Sequence, residues 1–223
     1  MSNEQIQTNY FVVTGGPGSG KSTLLDYNSY IGYITKPEVA RVHIDTNRSY
    51  GLTTEQIRQD ELLFQREVAS EKSSLELRLV KDFFGPDQVL FLDRGYQPDS
   101  LAYYIAEILR MKALNKELTT DQLLQDNQLA NLDFGPASRQ RFRYRGIFIL
   151  SALYFFQNDY ARTETQEEAE KIDELLFSIY THFGYPVISI PNAPLPIRAE
   201  TLLEHARDLL PDSDKKQIPF TRL

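Results

Sequence analysis

Residues 15–22 read Gly-Gly-Pro-Gly-Ser-Gly-Lys-Ser and match the pattern G-x-x-x-x-G-K-[ST] at every fixed position. The apolar run Tyr10–Thr14 directly before them is typical of a buried parallel strand, and residues 21–30 continue as a helix. Glycines let the backbone turn tightly enough for successive N–H groups to point inward, and the helix adds its positive dipole end. The segment therefore predicts a strand–loop–helix unit that binds phosphate groups.

Each position of this loop has an expected role toward a nucleoside triphosphate, ATP in the first instance, with GTP left open. The residues expected to hold it share the loop and the first helical turn: Gly15, Gly16, Pro17, Gly18, Ser19, Gly20, Lys21, Ser22 and Thr23. Lys21 is expected to be exposed in the empty loop and to reach the β- and γ-phosphates. The Ser22 hydroxyl is expected to ligate Mg²⁺, so the loop predicts magnesium-dependent nucleotide binding.

A pair of charged residues follows another apolar run, residues 89–92. Asp93 is placed at the carboxyl end of a predicted strand, level with the phosphate loop, where an aspartate can hold Mg²⁺. The alternative is an aspartate that caps the next turn. Arg94 stands where many ATP-hydrolysing motors have a glutamate, and its guanidinium suits phosphate or substrate oxygens. This favours transfer to a bound acceptor over stimulated hydrolysis.

Three further residues are candidates for contact with an acceptor or with the transferred group. Glu38 and Arg41 lie three residues apart, on one face of a predicted helical turn. Glu38 could take a proton from an acceptor hydroxyl while Arg41 holds the acceptor, although spacing alone favours a surface ion pair. Arg162, with Asp159 nearby, follows the strand at residues 147–150, where it would close on the phosphoryl group or form only a solvated ion pair.

The alternation of strands and helices predicts an α/β fold with a doubly wound parallel sheet and ligands at the carboxyl ends of its strands. A short helix is expected over residues 38–44. Thr53 and Gln56 form a capping-box pattern, and we expect one long helix from there to near Phe84.

The length of 223 residues fits a single domain over residues 1–223. Residues 113–140 are polar and are expected to form a helical insertion, either a substrate-binding flap or a solvated surface hairpin. Residues 155–165 are expected to form a lid.

Composition excludes several classes of protein. The formal net charge of −7 argues against a protein that coats nucleic acid, and the lack of cysteine excludes disulfides and thiolate chemistry. Residues 1–9 lack the basic and apolar parts of a signal peptide, and no apolar run is long enough to span a bilayer. We therefore expect a soluble cytoplasmic protein with no nucleic-acid or membrane partner.

Several segments taken together resemble a known family. They are the phosphate loop, Pro-Glu-Val-Ala-Arg at 37–41, Leu-Asp-Arg-Gly at 92–95, Arg-Thr-Glu at 162–164 and Gly-Tyr-Pro at 184–186. Over nearly the whole chain they resemble small AAA-type P-loop ATPase domains similar to the nicotinamide riboside kinase domain and, more distantly, to nucleoside and nucleotide kinases. The resemblance implies a five-stranded parallel sheet of order 2-3-1-4-5 with helices on both faces, a substrate pocket between residues 38–41 and 93–94, and a lid at Arg162.

Two functions are compatible with these residues. The first is a kinase that transfers the γ-phosphoryl group of ATP to a small-molecule hydroxyl, with Glu38 or Asp93 as base. Its expected catalytic residues are Lys21, Glu38, Asp93, Arg94 and Arg162. The second is an ATPase or nucleotide switch without a small-molecule acceptor, whose output is a conformational change. A Ras-type GTPase is disfavoured because residues 115–118 lack the aspartate that reads guanine.

Overall fold

The computed structural model describes residues 6–111, 142–150 and 166–219. The predicted insertion at 113–140 and the predicted lid at 155–165, with Asp159 and Arg162, lie outside the described residues. Both segments, and the roles assigned to them, stay predictions.

Seven strands are described, and five of them form one parallel sheet. In chain order the strands are β1 (Ile6–Gln7), β2 (Tyr10–Thr14), β3 (Thr35–Lys36), β4 (Leu90–Asp93), β5 (Phe142–Arg143), β6 (Gly146–Leu150) and β7 (Val187–Ile190). The five-stranded sheet has the order β3-β4-β2-β6-β7, which is 2-3-1-4-5 when its strands alone are counted. This confirms the predicted order. The small parallel pair β1–β5 was not predicted.

The register of the sheet brings the sites predicted from sequence to one edge. Val13 of β2 pairs with Asp93 of β4 on one side and with Phe148 of β6 on the other. The carboxyl ends of β2, β4 and β6 are therefore level. The loop that leaves β2 begins directly beside Asp93, as a doubly wound sheet requires of a ligand-binding edge.

Helices cover both faces of the sheet. They are α1 (Lys21–Tyr30), α2 (Val39–Ser49), α3 (Thr54–Ile57), α4 (Glu61–Arg78), α5 (Gln97–Met111), α6 (Gln166–His182) and α7 (Leu195–Leu209), with a π-helical turn at Leu79–Phe83 and a 3₁₀ turn at Lys215–Gln217. One apolar cluster packs α4, α5 and α6 on the sheet, and another packs α1 and α7 on its opposite face. This explains why the central strands are continuously apolar. None of the described helices is long and apolar enough to cross a bilayer.

The single long helix predicted from residue 53 to residue 84 is wrong. The capping box exists: the Thr53 hydroxyl accepts the Gln56 N–H at 3.2 Å, and the Gln56 side chain accepts the Thr53 N–H at 2.9 Å. The helix it opens ends at Ile57, however. Asp60 then adopts extended backbone and caps α4 by accepting the Leu63 N–H at 3.0 Å. A second N-cap close behind the first favours two helices over one.

The helix predicted over residues 38–44 begins and ends elsewhere. Glu38 has extended backbone and precedes α2 as its N-cap residue, and the helix continues to Ser49. The extended conformation directs the Glu38 carboxylate away from the helix and toward the end of β4.

Candidate functional site

The phosphate loop approaches the end of β6 so closely that only glycine fits at its first position. Gly15 has a φ of 138°, and a Cβ built on it would lie 2.5 Å from the carbonyl oxygen of Leu150. Residues outside the loop also hold it in place. Arg198 of α7 donates a hydrogen bond to the Ser19 carbonyl oxygen at 2.7 Å. The Gly16 N–H donates to the carboxylate of Asp173 on α6.

Lys21 is buried, and the expectation that it is exposed in the loop is wrong. Only 6% of its surface is exposed. Its ammonium donates to the carbonyl oxygens of Gly15 at 2.8 Å and Gly16 at 2.9 Å, and to the Ser19 hydroxyl at 3.2 Å. Oxygen atoms of the loop itself therefore accept the hydrogen bonds that the Lys21 ammonium would otherwise donate to water.

Ser22 and Asp93 form a pair that fits a divalent cation. The Ser22 hydroxyl donates to one Asp93 oxygen at 3.1 Å, while the other Asp93 oxygen is buried without a hydrogen-bond partner among the described residues. Burial raises the pKa of Asp93 to about 6, with Glu38 adding to the rise while Lys21 and Arg94 oppose it. Residues 6–111, 142–150 and 166–219 hold no cluster of three metal-ligating side chains. A cation here would thus need phosphate and water oxygens as well, as Mg²⁺ in phosphate sites does.

Glu38 and Arg94 form an ion pair across the turn that follows β4, with Arg94 buried and Glu38 partly buried. The Nε atom of Arg94 lies 2.6 Å from a Glu38 oxygen, and its guanidinium lies 4.3 Å from the centre of the Tyr103 ring. Burial alone would raise the pKa of Glu38. The positive charges of Arg94, Lys21, Lys72 and Arg41 outweigh burial and hold that pKa below its ordinary value. Glu38 is therefore ionised at neutral pH.

Arg94 pays a conformational cost for this placement. Its φ of 69° is the one positive φ of a non-glycine residue in the described part of the chain. Such a conformation costs on the order of 1–3 kcal/mol and persists only where the surroundings fix it. The structure shows Glu38 in an ion pair with Arg94, and the positive charge of Arg41 also acts on Glu38; the pair of Glu38 with Arg41 that spacing alone favoured stays a prediction.

The ion pair lies on the wall of an open cleft of about 620 Å³ that reaches from α2 and α4 to the phosphate loop. Glu38, Arg41 and Arg94 all line it, so the structure brings together the residues predicted to meet an acceptor. Asp93 is not among its lining residues and faces Ser22 instead. This volume includes open solvent, so the lining residues rather than the size of the cleft decide what can bind there.

Much of the cleft wall comes from α4, which sequence reasoning missed. Gln65, Val68 and Lys72 line the cleft at spacings of three and four residues, as one face of a helix requires. A signal existed. Glu61, Gln65, Lys72 and Glu76 form a polar stripe at helical spacing, and each of them is at most 8% exposed. A polar stripe that is buried marks a site more often than a solvated face does.

Beneath the cleft, a buried polar layer fixes the turn that carries Arg94. Asp99 accepts hydrogen bonds from the Thr14 hydroxyl, from the Gly95 N–H at 2.8 Å and from the Tyr180 hydroxyl. These contacts join the end of β2, the turn after β4 and α6. They supply the surroundings that hold the strained conformation of Arg94.

A second part of the same layer lies under α4. The Tyr144 hydroxyl donates to the Glu76 carboxyl group at 2.7–2.8 Å and accepts the Tyr96 N–H at 2.7 Å. Lys72 donates to the Gly95 carbonyl at 3.3 Å. Burial raises the pKa of Glu76 to about 8, against the opposing hydrogen bond from Tyr144 and the charge of Lys72.

The fold is shared with a solved deoxyadenosine kinase and with the NadR protein. Deoxyadenosine kinase from M. mycoides with bound dCTP has a TM-score of 0.59 at 11% identity, and the match covers 89% of this chain and 99% of that one. The NadR protein in complex with NAD and AMP-PNP has a TM-score of 0.59 at 16% identity, over 97% of this chain and 51% of NadR. NadR in complex with NR gives 0.53 at 16% identity, over 82% of this chain and 43% of NadR. The chain therefore spans about half the length of NadR, and likeness at these identities shows the fold alone.

Family membership rests on the sequence. A search of curated proteins finds no significant match. Residues 10–198 match the family described as AAA domain, and this range includes the phosphate loop, the ion pair and all of the five-stranded sheet. With that match, the phosphate loop and the five-stranded parallel sheet, this chain belongs to the AAA-domain family of P-loop proteins.

Proposed function

We propose that the chain is a magnesium-dependent kinase that transfers the γ-phosphoryl group of ATP to a hydroxyl of a nucleoside-like small molecule. The observation that carries the proposal is the cleft beside the phosphate loop. Its wall holds an ionised carboxylate, Glu38, and it reaches Pro17 of the loop. A pocket that opens onto the phosphate loop serves a second substrate, whereas a hydrolase needs only room for water.

In this proposal the phosphate loop and Lys21 bind the triphosphate, and its γ-phosphate points into the cleft. Mg²⁺, when held by Ser22 and Asp93, would neutralise charge on the phosphate oxygens. The acceptor oxygen forms a bond to the γ-phosphorus while the bond from that phosphorus to the β–γ bridging oxygen breaks. The hydroxyl proton passes to Glu38, and ADP leaves with the bridging oxygen.

The base is assigned to Glu38 rather than to Asp93 because Glu38 lines the cleft while Asp93 faces Ser22. Arg94 would both orient Glu38 and stabilise charge on the transferred group. Arg162, predicted from sequence, would add a further positive charge at the same stage.

The cleft wall is compatible with a nucleoside-like acceptor. Ile44, Phe64 and Val68 supply an apolar side, and Tyr103 supplies an aromatic ring. The solved structures of similar fold support the same class of acceptor, since they contain dCTP, dATP, NAD or NR as bound molecules. Because the identities are low, these ligands support only the class of acceptor.

The test is a screen of nucleosides, nucleotides and vitamins for acceptor-dependent release of ADP, with the phosphorylated product identified by mass spectrometry. We expect at least one acceptor to raise ADP release well above the basal rate. If none does, and the basal hydrolysis of ATP responds instead to added proteins, the chain is a nucleotide switch and the kinase proposal is wrong.

A further inference from the structure

The inner end of the cleft presents buried hydrogen-bond donors that the described residues do not satisfy. Lys72 is 4% exposed and lines the cleft, yet its ammonium, with three donors, makes one hydrogen bond within the described ranges, at 3.3 Å to Gly95. Arg94 is 8% exposed, and its Nη1 atom has no hydrogen-bond partner there. The buried hydroxyl of Ser100, another lining residue, also has none. Buried donors left in this condition are costly and point to a ligand that accepts hydrogen bonds.

The cleft offers few acceptors to match them. Glu38 is the one carboxylate among the described residues that line it, and Arg94 already lies against it. Asp99 lies behind the wall, where it accepts three hydrogen bonds from other groups. Glu61 is bound to Arg58 at 2.8 Å. Four cationic side chains, Arg41, Arg58, Lys72 and Arg94, therefore line a cleft with one carboxylate, in a chain whose net charge is −7.

We propose, resting on the proposed kinase function, that the acceptor carries an oxyanion in addition to the hydroxyl that is phosphorylated, and that Lys72 binds this oxyanion. The group is a carboxylate or a phosphate monoester. Lys72 contacts it from α4, with the Ser100 hydroxyl and the Nη1 atom of Arg94 beside it. A neutral nucleoside would leave these buried donors unmatched. Burial lowers the pKa of Lys72 even though Asp99, Glu38 and Glu76 act against that shift, so an additional anionic partner would offset the loss of hydration of its ammonium.

Two groups of one acceptor bind at two different places in the cleft. The hydroxyl lies at Glu38, which takes its proton, and the oxyanion lies at Lys72. Arg41 stands on the α2 side of the cleft and adds positive potential over both. The apolar side chains of Phe64 and Val68 remain for the body of the molecule. Lys72 therefore binds the acceptor and determines which acceptors the protein prefers.

The competing explanation is that Lys72 meets the γ-phosphate of ATP. The two explanations differ in which substrate responds to a change of Lys72. A contact to the γ-phosphate affects every acceptor alike, because ATP is common to all of them. A contact to the acceptor's oxyanion affects only acceptors that carry one.

The first experiment measures transfer kinetics with acceptors in matched pairs. One pair is a nucleoside and its 3′-monophosphate, which share the 5′-hydroxyl, and another is a hydroxy acid and its amide. We expect the anionic member of one pair to have a kcat/KM at least tenfold above its neutral partner. If the nucleoside pair shows this difference, the oxyanion is a phosphate. If the hydroxy-acid pair shows it, the oxyanion is a carboxylate.

The same kinetics are then measured with two variants. Lys72→Met should raise the KM for the anionic acceptor at least tenfold more than the KM for its neutral partner. Any change in kcat, which Lys72 influences through Gly95 and through the charge of Glu38, should be equal for the two members of a pair. Lys81→Met removes the same charge from the exposed turn after α4 and should change nothing. Preference for the neutral members, or an equal loss for both members with Lys72→Met, would overturn the proposal.

The second experiment needs no turnover and keeps this proposal separate from the kinase proposal. The phosphate loop is filled with Mg²⁺ and AMP-PNP, and inorganic phosphate is titrated into the complex by calorimetry. We expect binding that Lys72→Met weakens at least tenfold, with the melting temperatures of both proteins as a control for folding. Equal phosphate binding by both proteins, or no binding by either, overturns the anion site. If phosphate binds as expected while no acceptor supports ADP release, the kinase function fails and the anion site stands.

Discussion

The phosphate loop and the acceptor cleft lie side by side, yet they are built in opposite ways. The loop is one continuous segment whose central charge, Lys21, is taken up by the loop's own carbonyl oxygens. The cleft is assembled from α2, α4, α5 and the turn after β4, and buried donors at its inner end lack partners within the described residues. A site such as the phosphate loop can be recognised from eight consecutive residues of the sequence. A site such as the cleft exists only once the chain has folded.

The same contrast appears in how each site is supported. Glycines and the start of α1 shape the loop, and Arg198 and Asp173 each add one hydrogen bond from outside it. The turn at Arg94 instead depends on Tyr144 and, through Asp99, on Thr14 and Tyr180, which come from distant parts of the sequence. We therefore expect changes in the loop to act on ATP binding, and changes around the cleft to act on transfer or on stability.

The largest effect is expected for Lys21→Ala. Loss of charge-assisted hydrogen bonds to two phosphates, each contributing roughly 1.5–3 kcal/mol, should weaken ATP binding by roughly 10²–10⁴-fold. Calorimetric titration of both proteins with ATP measures this. Because Lys21 is buried against loop carbonyls, melting curves must accompany the titration. Equal affinities in two well-folded proteins would refute the assignment of the loop.

The second effect concerns the acceptor cleft. Glu38→Gln should leave ATP affinity nearly unchanged but lower acceptor-dependent turnover. A general base contributes roughly 10²–10⁴-fold, and we expect about 10²-fold here because a pKa held below its ordinary value makes Glu38 a weak base. Steady-state kinetics with the acceptor from the screen measures the loss. Unchanged turnover would leave Glu38 as a structural partner of Arg94 only.

The third effect concerns Ser22 and Asp93, the two residues proposed to hold Mg²⁺ where the phosphate loop and the cleft meet. Ser22→Ala and Asp93→Asn should weaken the Mg²⁺-dependent part of ATP affinity by roughly 10–100-fold, because both oxygens are proposed to act through the ion. ATP titrations are carried out with Mg²⁺ and again with EDTA. Losses of the same size in both conditions would show that neither residue serves the metal.

The difference between the two regions also explains what the sequence could predict. The phosphate loop, the strand order and the placement of Asp93 at a strand end follow from local pattern together with the resemblance to a known family. The break between α3 and α4 was missed because Asp60 looks like an ordinary helical residue until its side chain is seen to cap. The burial of Lys21 was missed because a motif gives residue types and not the contacts the loop makes with itself.

The acceptor side was predictable only in part. Glu38, Arg41 and Arg94 stand next to recognisable segments, and the structure brings them to one cleft. Lys72 and Gln65 lie in the middle of a helix with no motif around them. Their contribution depends on how α4 packs over the end of β4, and spacing along the chain carries no information about that packing.

The smallest effect concerns the polar layer under the cleft and is read from stability against pH. Burial raises the pKa of Glu76 to about 8 from an ordinary value of 4.5. Between these values the folded protein holds a proton that the unfolded chain has lost, so the contribution of Glu76 to stability falls as pH rises through this window. It is fully present below pH 4.5 and is lost by about pH 8. Glu76→Gln keeps an oxygen to accept from Tyr144 but cannot ionise.

The measurement is urea unfolding of parent and variant at several pH values. The stability of Glu76→Gln relative to the parent should increase by about 2 kcal/mol between pH 6 and pH 7.5, which is roughly 1.4 kcal/mol per pH unit for one proton. Glu174→Gln, at an exposed position of α6, should show no such trend. A constant difference across the range would mean that Glu76 is ionised in the folded protein and paired with Lys72. Lys72 would then already have its anion, which would weaken the case that the cleft awaits one from the acceptor.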